Sequence, residues 1–226
     1  MENTDEKAVL IVVAAGSGRR FGGDKMFVPL CGKPVFVHSL ERLAPAAKRT
    51  VLVVPAGREE EFRAAVAEHL PQLSPRIVAG GATRAGSVKR GVAAAELDAG
   101  ELAAVHDAAR PLATPELLRK LCRKAREIGG AVPGFPQSDA QKLADENGMV
   151  VSDLPRRNVW NVGTPQVFRA ELLLRACAAS DTDGCLDDAE AVRAVGGKVA
   201  VVPSDEPNTK LTTPGDLEEI EKVLSR

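Results

Sequence analysis

Short apolar runs and amphipathic stretches alternate along the whole chain. Residues 8–13, 50–54, 102–106 and 198–202 are β-branched or apolar runs bounded by turn residues, the pattern of buried strands. Between them, helical spacing of apolar positions predicts helices over 34–43, 58–70, 84–97, 115–128, 170–179, 187–195 and 214–224. Thr114-Pro115-Glu116 and Thr213-Pro214 place a cap-capable threonine before a proline in the first helical turn. Strand–helix alternation of this kind predicts an α/β fold: a Rossmann-like, mostly parallel twisted sheet with helices on both faces. In such sheets ligands gather outside the carboxyl ends of the strands.

One stretch breaks the rhythm. From about residue 133 to 160 helical periodicity is lost, and Pro133, Pro136 and Pro155 punctuate the chain. Two extended pieces, 140–144 and 149–154, flank the polar turn Asp145-Glu146-Asn147-Gly148, a hairpin signal. A hairpin this polar reads as a lid, as an arm that docks on another subunit, or as a long surface loop. The remainder shows no repeat and no linker, so residues 1–226 are read as one domain carrying a β-arm.

Composition narrows the partners. With 30 Lys plus Arg against 31 Asp plus Glu, the formal charge is −1, which argues against a nucleic-acid or membrane-surface binder. Aromatic content of 3% leaves few stacking platforms for single strands. Cys31, Cys122, Cys177 and Cys185 form no CxxC pair and read as buried or half-buried thiols in a reducing cytoplasm. The polar, acidic amino terminus is unlike a secretory signal, and the longest apolar stretch falls well short of the ~20 residues of a membrane helix.

Four motifs carry the candidate chemistry. After the first strand, Ala14-Ala15-Gly16-Ser17-Gly18-Arg19-Arg20 leads to Lys25, a glycine-rich turn with cations suited to a polyphosphate. Gly80-Gly81-Ala82-Thr83-Arg84 opens a helix that carries Ser87 in its first turns, a setting for a base edge, ribose or phosphate, or simply a capped helix start. Asp107, in Val105-His106-Asp107-Ala108-Ala109-Arg110-Pro111, stands at a strand's carboxyl end. There it could hold Mg²⁺ beside phosphates, pair with Arg110, or do both. Lys210, in Asn208-Thr209-Lys210-Leu211, returns to the same edge before the last helix.

Taken in order, AAGSGRRF, the following lysine, GGATRAGSV, VHDAARP, TPQVF and NTKLTTPGDL resemble the 2-C-methyl-D-erythritol 4-phosphate cytidylyltransferase family over residues 10–217. The resemblance implies a CTP-dependent enzyme of non-mevalonate isoprenoid synthesis that uses Mg²⁺ or another divalent cation. By position, Ala14, Ala15, Gly16, Ser17 and Gly18 would cradle CTP, with Gly81, Arg84 and Ser87 near base and ribose. Arg20, Lys25 and Lys210 would act on the phosphates; Asp107 would hold the metal and, with Arg110, the substrate. An arm from the second subunit of a homodimer would complete the site through Arg156, or Arg157 by a one-residue slip, and through position 140.

The chain departs from that pattern in three places. Asp24-Lys25-Met26 stands where the family usually has Pro-Lys-Gln, so Asp24 puts a negative charge beside Lys25. Ala140 lacks the hydroxyl that the arm usually presents to the substrate phosphate, and Leu186-Asp187-Asp188 replaces a Thr-Asp pair. A cytidylyltransferase for another polyol phosphate, such as ribitol 5-phosphate, and an idle nucleotide-binding module therefore stay open. A dinucleotide-binding oxidoreductase fits less well, because the third glycine of GxGxxG falls on Phe21.

Overall fold

The computed structural model describes residues 7–16, 21–179, 184–204 and 207–225. The first apolar run folds as β1 (Val9–Val13), followed by a small hairpin of β2 (Pro29–Leu30) and β3 (Lys33–Pro34). Alternation then continues through α1 (Val35–Leu43), β4 (Thr50–Val54), α2 (Glu59–His69), β5 (Arg76–Ala79), α3 (Arg84–Ala95), β6 (Leu102–Asp107) and α4 (Pro115–Ile128). The second half contains β7 (Gly130–Pro136), β8 (Gln141–Ala144), β9 (Val150–Leu154), β10 (Trp160–Val162) and β11 (Gln166–Arg169). It closes with α5 (Ala170–Ala178), α6 (Asp188–Ala194), β12 (Val199–Pro203) and α7 (Pro214–Leu224).

The main sheet runs β5–β4–β1–β6–β11–β7, with β12 on the far edge of β7. β4–β5, β1–β4, β1–β6 and β7–β12 are parallel; β11 is antiparallel to both β6 and β7, and β10 to β7. Since β11 and β12 both pair with Gly130 and Ala131, and β10 and β12 both with Gly134, β10 and β11 lie along the same edge of β7. They are two pieces of one strand path interrupted at residues 163–165. Pro133 falls opposite that interruption, where its missing N–H breaks no ladder.

Each side of β1 feeds a different core, as the two-residue period of a strand requires. Leu10 and Val12 pack with Phe36, Leu40, Phe62, Leu118 and Leu121 on the face covered by α1, α2 and α4. Val9 and Ile11 pack with Val88, Val92, Leu173, Ala176 and Val192 on the face covered by α3, α5 and α6. Helices on both faces are what a largely parallel sheet needs. From β1 the strand order departs one way through β4 and the other way through β6, so a crevice opens at the carboxyl ends of β1 and β6.

All seven expected helices form, each within two residues of the expected ends, and so do the four expected strands. The expected caps are present: Thr114 accepts from the Leu117 N–H, and Thr213 with Asp216 closes a capping box on α7. Sequence reading missed β5, β7, β10 and β11, half of the main sheet. The hairpin at 140–154 does form, as the two-stranded β8–β9 unit, with the Asp145 carboxylate accepting from the N–H groups of Asn147 and Met149. Its cross-strand Lys142–Asp153 ion pair is exposed, as is every residue of β9. The reading of all four cysteines as buried or half-buried is corrected at Cys31, which is exposed. No helix among the described residues is long and apolar enough to cross a membrane.

Candidate active site

A cavity of about 610 Å³ lies at the carboxyl ends of β1 and β6. Ala14, Ala15 and Gly16 line it where β1 ends, Lys25 and Met26 from the following turn, and Gly81, Thr83, Arg84 and Ser87 from the start of α3. Asp107 closes β6 and Lys210 enters from the loop before α7. Of these four motifs, the first loop and Asp107 meet because β1 and β6 are hydrogen-bonded neighbours, Val13 opposite Asp107. The Ala108 N–H donating to the Val13 carbonyl (3.0 Å) carries that alignment beyond the strands.

Asp107 is the electrostatic centre, 8% exposed. Lys210 Nζ donates to its Oδ2 (2.6 Å) and Arg84 Nε to its Oδ1 (3.2 Å). Burial pushes this carboxyl up, but the Arg84 and Lys210 charges outweigh burial and hold it below the usual carboxylate range. Arg84 also donates from Nη2 to Asp188 Oδ2 (2.8 Å), so one guanidinium bridges two buried carboxylates. Burial raises Asp188 above its ordinary value in spite of Arg84.

The alternative of a direct Asp107–Arg110 side-chain pair is corrected, although each group's charge still favours the other's charged form. Arg110 Nη1 donates instead to the Asn208 carbonyl (2.7 Å), and only the Arg110 backbone N–H bonds back to the Asp107 carbonyl (2.9 Å). The guanidinium is drawn away because Asn208 is itself anchored, its Nδ2 donating to the Thr164 carbonyl (2.8 Å). Arg110 Nε and Asn208 Oδ1 remain buried without a hydrogen-bond partner among the described residues.

Buried side chains fix the Asp107 turn from beneath. The Asp107 N–H donates to Thr164 Oγ1 (3.0 Å), and that hydroxyl lies 3.2 Å from His106 Nδ1. His106 Nε2 is 3.2 Å from the Arg110 carbonyl, an acceptor, so this nitrogen carries the proton and Nδ1 accepts from Thr164. Burial brings the His106 imidazole down to about 4, keeping it neutral at pH 7.

Asp24, the departure beside Lys25, is not part of the cavity lining and is paired with Arg58. Its Oδ2 accepts from Arg58 Nη2 (2.6 Å), and its Oδ1 accepts from the Met26 N–H (3.2 Å). Lys25 Nζ donates to the Leu211 carbonyl (3.1 Å), tying the first loop to the segment that carries Lys210. Ser87 is buried and internally engaged: its hydroxyl accepts from the Gly81 N–H (3.1 Å) and donates to the Thr83 carbonyl (2.9 Å). Gly80 and Gly81 are required by close packing here. A Cβ on Gly80 would stand 2.5 Å from that of Ala15, and one on Gly81 2.8 Å from the Gly86 backbone.

Of the residues predicted from sequence, Ala14, Ala15, Gly16, Lys25, Gly81, Arg84, Ser87, Asp107 and Lys210 come together around the cavity. Ser17, Gly18 and Arg20 lie outside the described residues. Arg110 does not line the cavity, nor do Ala140 and Arg156, which belong to the exposed arm and its base. Sequence reading gave no role to Asp188 or Gln166. Gln166 Nε2 donates to Asp187 Oδ2 (2.8 Å) and its Oε1 accepts from the Ala189 N–H (3.0 Å), clamping the start of α6 so that Asp188 meets Arg84. The TPQ and LDD strings held those residues, but nothing local says that they meet. Among the described residues no cluster of three His, Cys, Asp or Glu side chains could hold a metal alone. One buried carboxylate still fits an ion carried mainly by phosphate oxygens and water, as Mg²⁺ is in nucleotide sites.

The profile of the family described as IspD: 2-C-methyl-D-erythritol 4-phosphate cytidylyltransferase matches residues 8–226. A protein of that name from Symbiobacterium thermophilum is 40% identical over 219 residues, covering 95% of this chain and 92% of its own. Another, from Acidobacterium capsulatum, is 36% identical over 226 residues, covering 94% and 95%. Among solved structures, the 4-diphosphocytidyl-2C-methyl-D-erythritol synthase of Anaerococcus prevotii superposes with a TM-score of 0.82 at 26% identity, covering 98% of each chain. The 2-C-methyl-D-erythritol 4-phosphate cytidylyltransferase of Thermus thermophilus gives 0.76 at 29% identity, covering 96% of this chain and 98% of that one. Sequence, fold and the grouping of the motifs around one cavity agree: the chain belongs to the 2-C-methyl-D-erythritol 4-phosphate cytidylyltransferase family.

Proposed function

We infer that this protein is a nucleotidyltransferase that moves the cytidylyl group of CTP onto 2-C-methyl-D-erythritol 4-phosphate, releasing pyrophosphate, in isoprenoid precursor synthesis. The observation that carries this reading is the meeting of Asp107, Arg84, Lys210 and Lys25 around one cavity at the switch point of the sheet, in a chain of this family.

The chemistry asks for charge and position rather than a protein nucleophile. The substrate's phosphate monoester has a second pKa near about 6, so at neutral pH it is mostly dianionic. One of its oxygens attacks the α-phosphorus in line; a P–O bond forms, the bond to the β-phosphate oxygen breaks, and pyrophosphate departs. Negative charge at the reacting phosphate is met by preorganised cations, for which Lys25, Lys210 and Arg20 are the candidates. Lys210 is held by Asp107 beforehand, which places its ammonium at the cavity without freezing a long side chain during the reaction. Asp107 would hold Mg²⁺, which when bound neutralises triphosphate charge. The bare backbone at Gly16 leaves open space for the nucleotide, and Arg84 orients Asp107 from the α3 side.

The exposed arm supports a homodimer in which Arg156 of one subunit reaches the other's site. A location in the cytoplasm accords with the chain's free cysteines. Ala140 leaves the acceptor phosphate one hydroxyl poorer, and a hydrogen bond to a charged group contributes about 1.5–3 kcal/mol.

Pyrophosphate release with Mg²⁺ and CTP tests the reading, comparing methylerythritol 4-phosphate with ribitol 5-phosphate and using ATP, GTP and UTP as controls. Turnover with CTP and methylerythritol phosphate is expected; turnover with ribitol phosphate alone would move the acceptor. Lys25→Ala is expected to lower kcat by about 10²–10³-fold with the melting temperature little changed. Near-normal turnover would remove Lys25 from the mechanism.

A further inference from the structure

Lys25 sits on a turn, with neither helix nor strand to hold it, between β1 and the β2–β3 hairpin. What holds that turn comes from elsewhere in the fold. Arg58, immediately before α2, donates from Nη2 to Asp24 Oδ2 (2.6 Å), and its guanidinium carbon lies 5.1 Å from the centre of the Phe27 ring. Asp24 and Phe27 bracket Lys25 and Met26, the two residues of the turn that line the cavity.

Arg58 is itself held by α2. Its Nε and Nη2 donate to the two carboxylate oxygens of Glu61 (2.6 and 2.7 Å), one turn into α2. It also lies 5.6 Å from the ring centre of Phe62, which is fully buried and meets Phe27 edge-on at 4.8 Å. Within the turn, Asp24 Oδ1 accepts from the Met26 N–H and the Asp24 carbonyl from the Phe27 N–H (3.3 Å). The planar guanidinium thus grips a carboxylate at one end of the turn and an aromatic face at the other, as a lysine ammonium cannot.

We propose that Arg58 is a positioning residue for Lys25, clamping residues 24–27 at both ends so that the Lys25 ammonium stays at the cavity wall. The proposal rests on the reading of Lys25 as a phosphate-binding group. Asp24 then has a purpose of its own: its charge is the handle by which α2 fixes the loop. Small displacements of a positioned group are costly to turnover, so the effect is kinetic more than structural.

A double-mutant cycle in the full-length enzyme tests it, with pyrophosphate release measured under steady-state and single-turnover conditions and melting temperature recorded beside it. Arg58→Met keeps an apolar chain against both rings and removes the charge. Its kcat/KM for CTP is expected to fall about tenfold, with Arg58→Lys recovering part of the loss. In a Lys25→Ala background the same Arg58→Met change is expected to have almost no further effect. Asp24→Asn, which keeps an acceptor for the Met26 N–H, is expected to lower activity in the same direction and not to add to Arg58→Met.

Wild-type activity of Arg58→Met beside a disabled Lys25→Ala would overturn the proposal, as would losses that multiply in the double variant. Full activity of Lys25→Ala alone defeats the underlying reading and takes the proposal with it, a result visible without any Arg58 variant. Where Arg58→Met fails to fold, Arg58→Lys and Asp24→Asn carry the same cycle: losses absent in the Lys25→Ala background support the clamp, and losses that persist there overturn it.

Discussion

Asp107 and His106 are adjacent in sequence and opposite in electrostatic fate. Asp107 is kept charged by Arg84 and Lys210, whereas His106, fully buried behind it, is kept neutral with its pKa at about 4. The groups facing His106 are the Asp107 carboxylate, which favours its protonation, and the Arg110 and Lys210 cations, which oppose it. Between an unfolded value of about 6.5 and about 4, the unfolded chain binds a proton that the folded chain excludes. Stability from this group is therefore complete above about pH 6.5 and is lost as pH falls toward 4, by on the order of 2–3 kcal/mol. His106→Gln, whose amide can still donate and accept, is expected to lower stability at pH 7 and to flatten the slope between pH 6.5 and 4.5, read from urea midpoints. An unchanged slope would assign the titration elsewhere, to His38 first, since burial depresses that imidazole too. Lys210 and Asp107 carry the same lesson for the site: each long cation is already paired before a ligand arrives, so the cavity presents charge in fixed positions.

At the scale of elements, α3 lies close against the sheet at Gly91. Gly91 lies where a Cβ would stand 2.6 Å from Ile11 Cγ2 and 2.7 Å from Val53 Cγ2, both on stiff β-branched side chains. Gly91→Ala gains up to about 1 kcal/mol of helix propensity but overpacks the interface by about 1–3 kcal/mol. We expect net destabilisation of roughly 1–2 kcal/mol, seen as a lower melting temperature, and weaker CTP binding, because α3 carries Arg84 and Ser87. A raised melting temperature would show that the interface has slack. The elements that the sequence disclosed are those with a strong local signal: seven helices with helical apolar spacing, α4 and α7 among them with a threonine cap, and β1, β4, β6 and β12. β7 stayed hidden because Gly130, Pro133, Gly134 and Pro136 all read as breakers, although Pro133 faces the gap between β10 and β11. β5 and β11, of four residues each, are too short for their alternation to register. The motifs around the cavity were legible because each ends a strand or opens a helix. The Gln166–Asp187 and Arg84–Asp188 contacts were not, since they join residues 21 and 104 positions apart.

At the scale of the whole molecule, a cluster of exposed apolar residues among the described ones lies on the arm. β8 and β9 pair with each other, and Leu143, Met149, Val150, Val151 and Leu154 are exposed along them. An isolated two-stranded hairpin is marginally stable in water, so one with this much apolar exposure calls for a covering surface. A second subunit is the cover proposed above, and it makes a prediction that no property of a lone subunit can mimic. On that proposal Lys25→Ala would disable a site through its own cavity, whereas Arg156→Ala would disable a site through the arm it lends. In a dimer containing one subunit of each kind, one site combines both defects. The other has an intact cavity and receives an intact Arg156 from the Lys25→Ala subunit. Random reassortment of an equal mixture makes half the dimers mixed, with one of two sites intact in each. Two inactive preparations, mixed and allowed to exchange, are therefore expected to recover about a quarter of wild-type turnover, at a rate set by subunit exchange. An arm that folds onto its own cavity would put both residues in the same site, and mixing would recover nothing. Val150→Asp with Leu154→Asp supplies the thermodynamic half of the argument: sedimentation equilibrium is expected to show the dimer weakened. Turnover per subunit should then fall on dilution, while the wild type holds its activity over the same range.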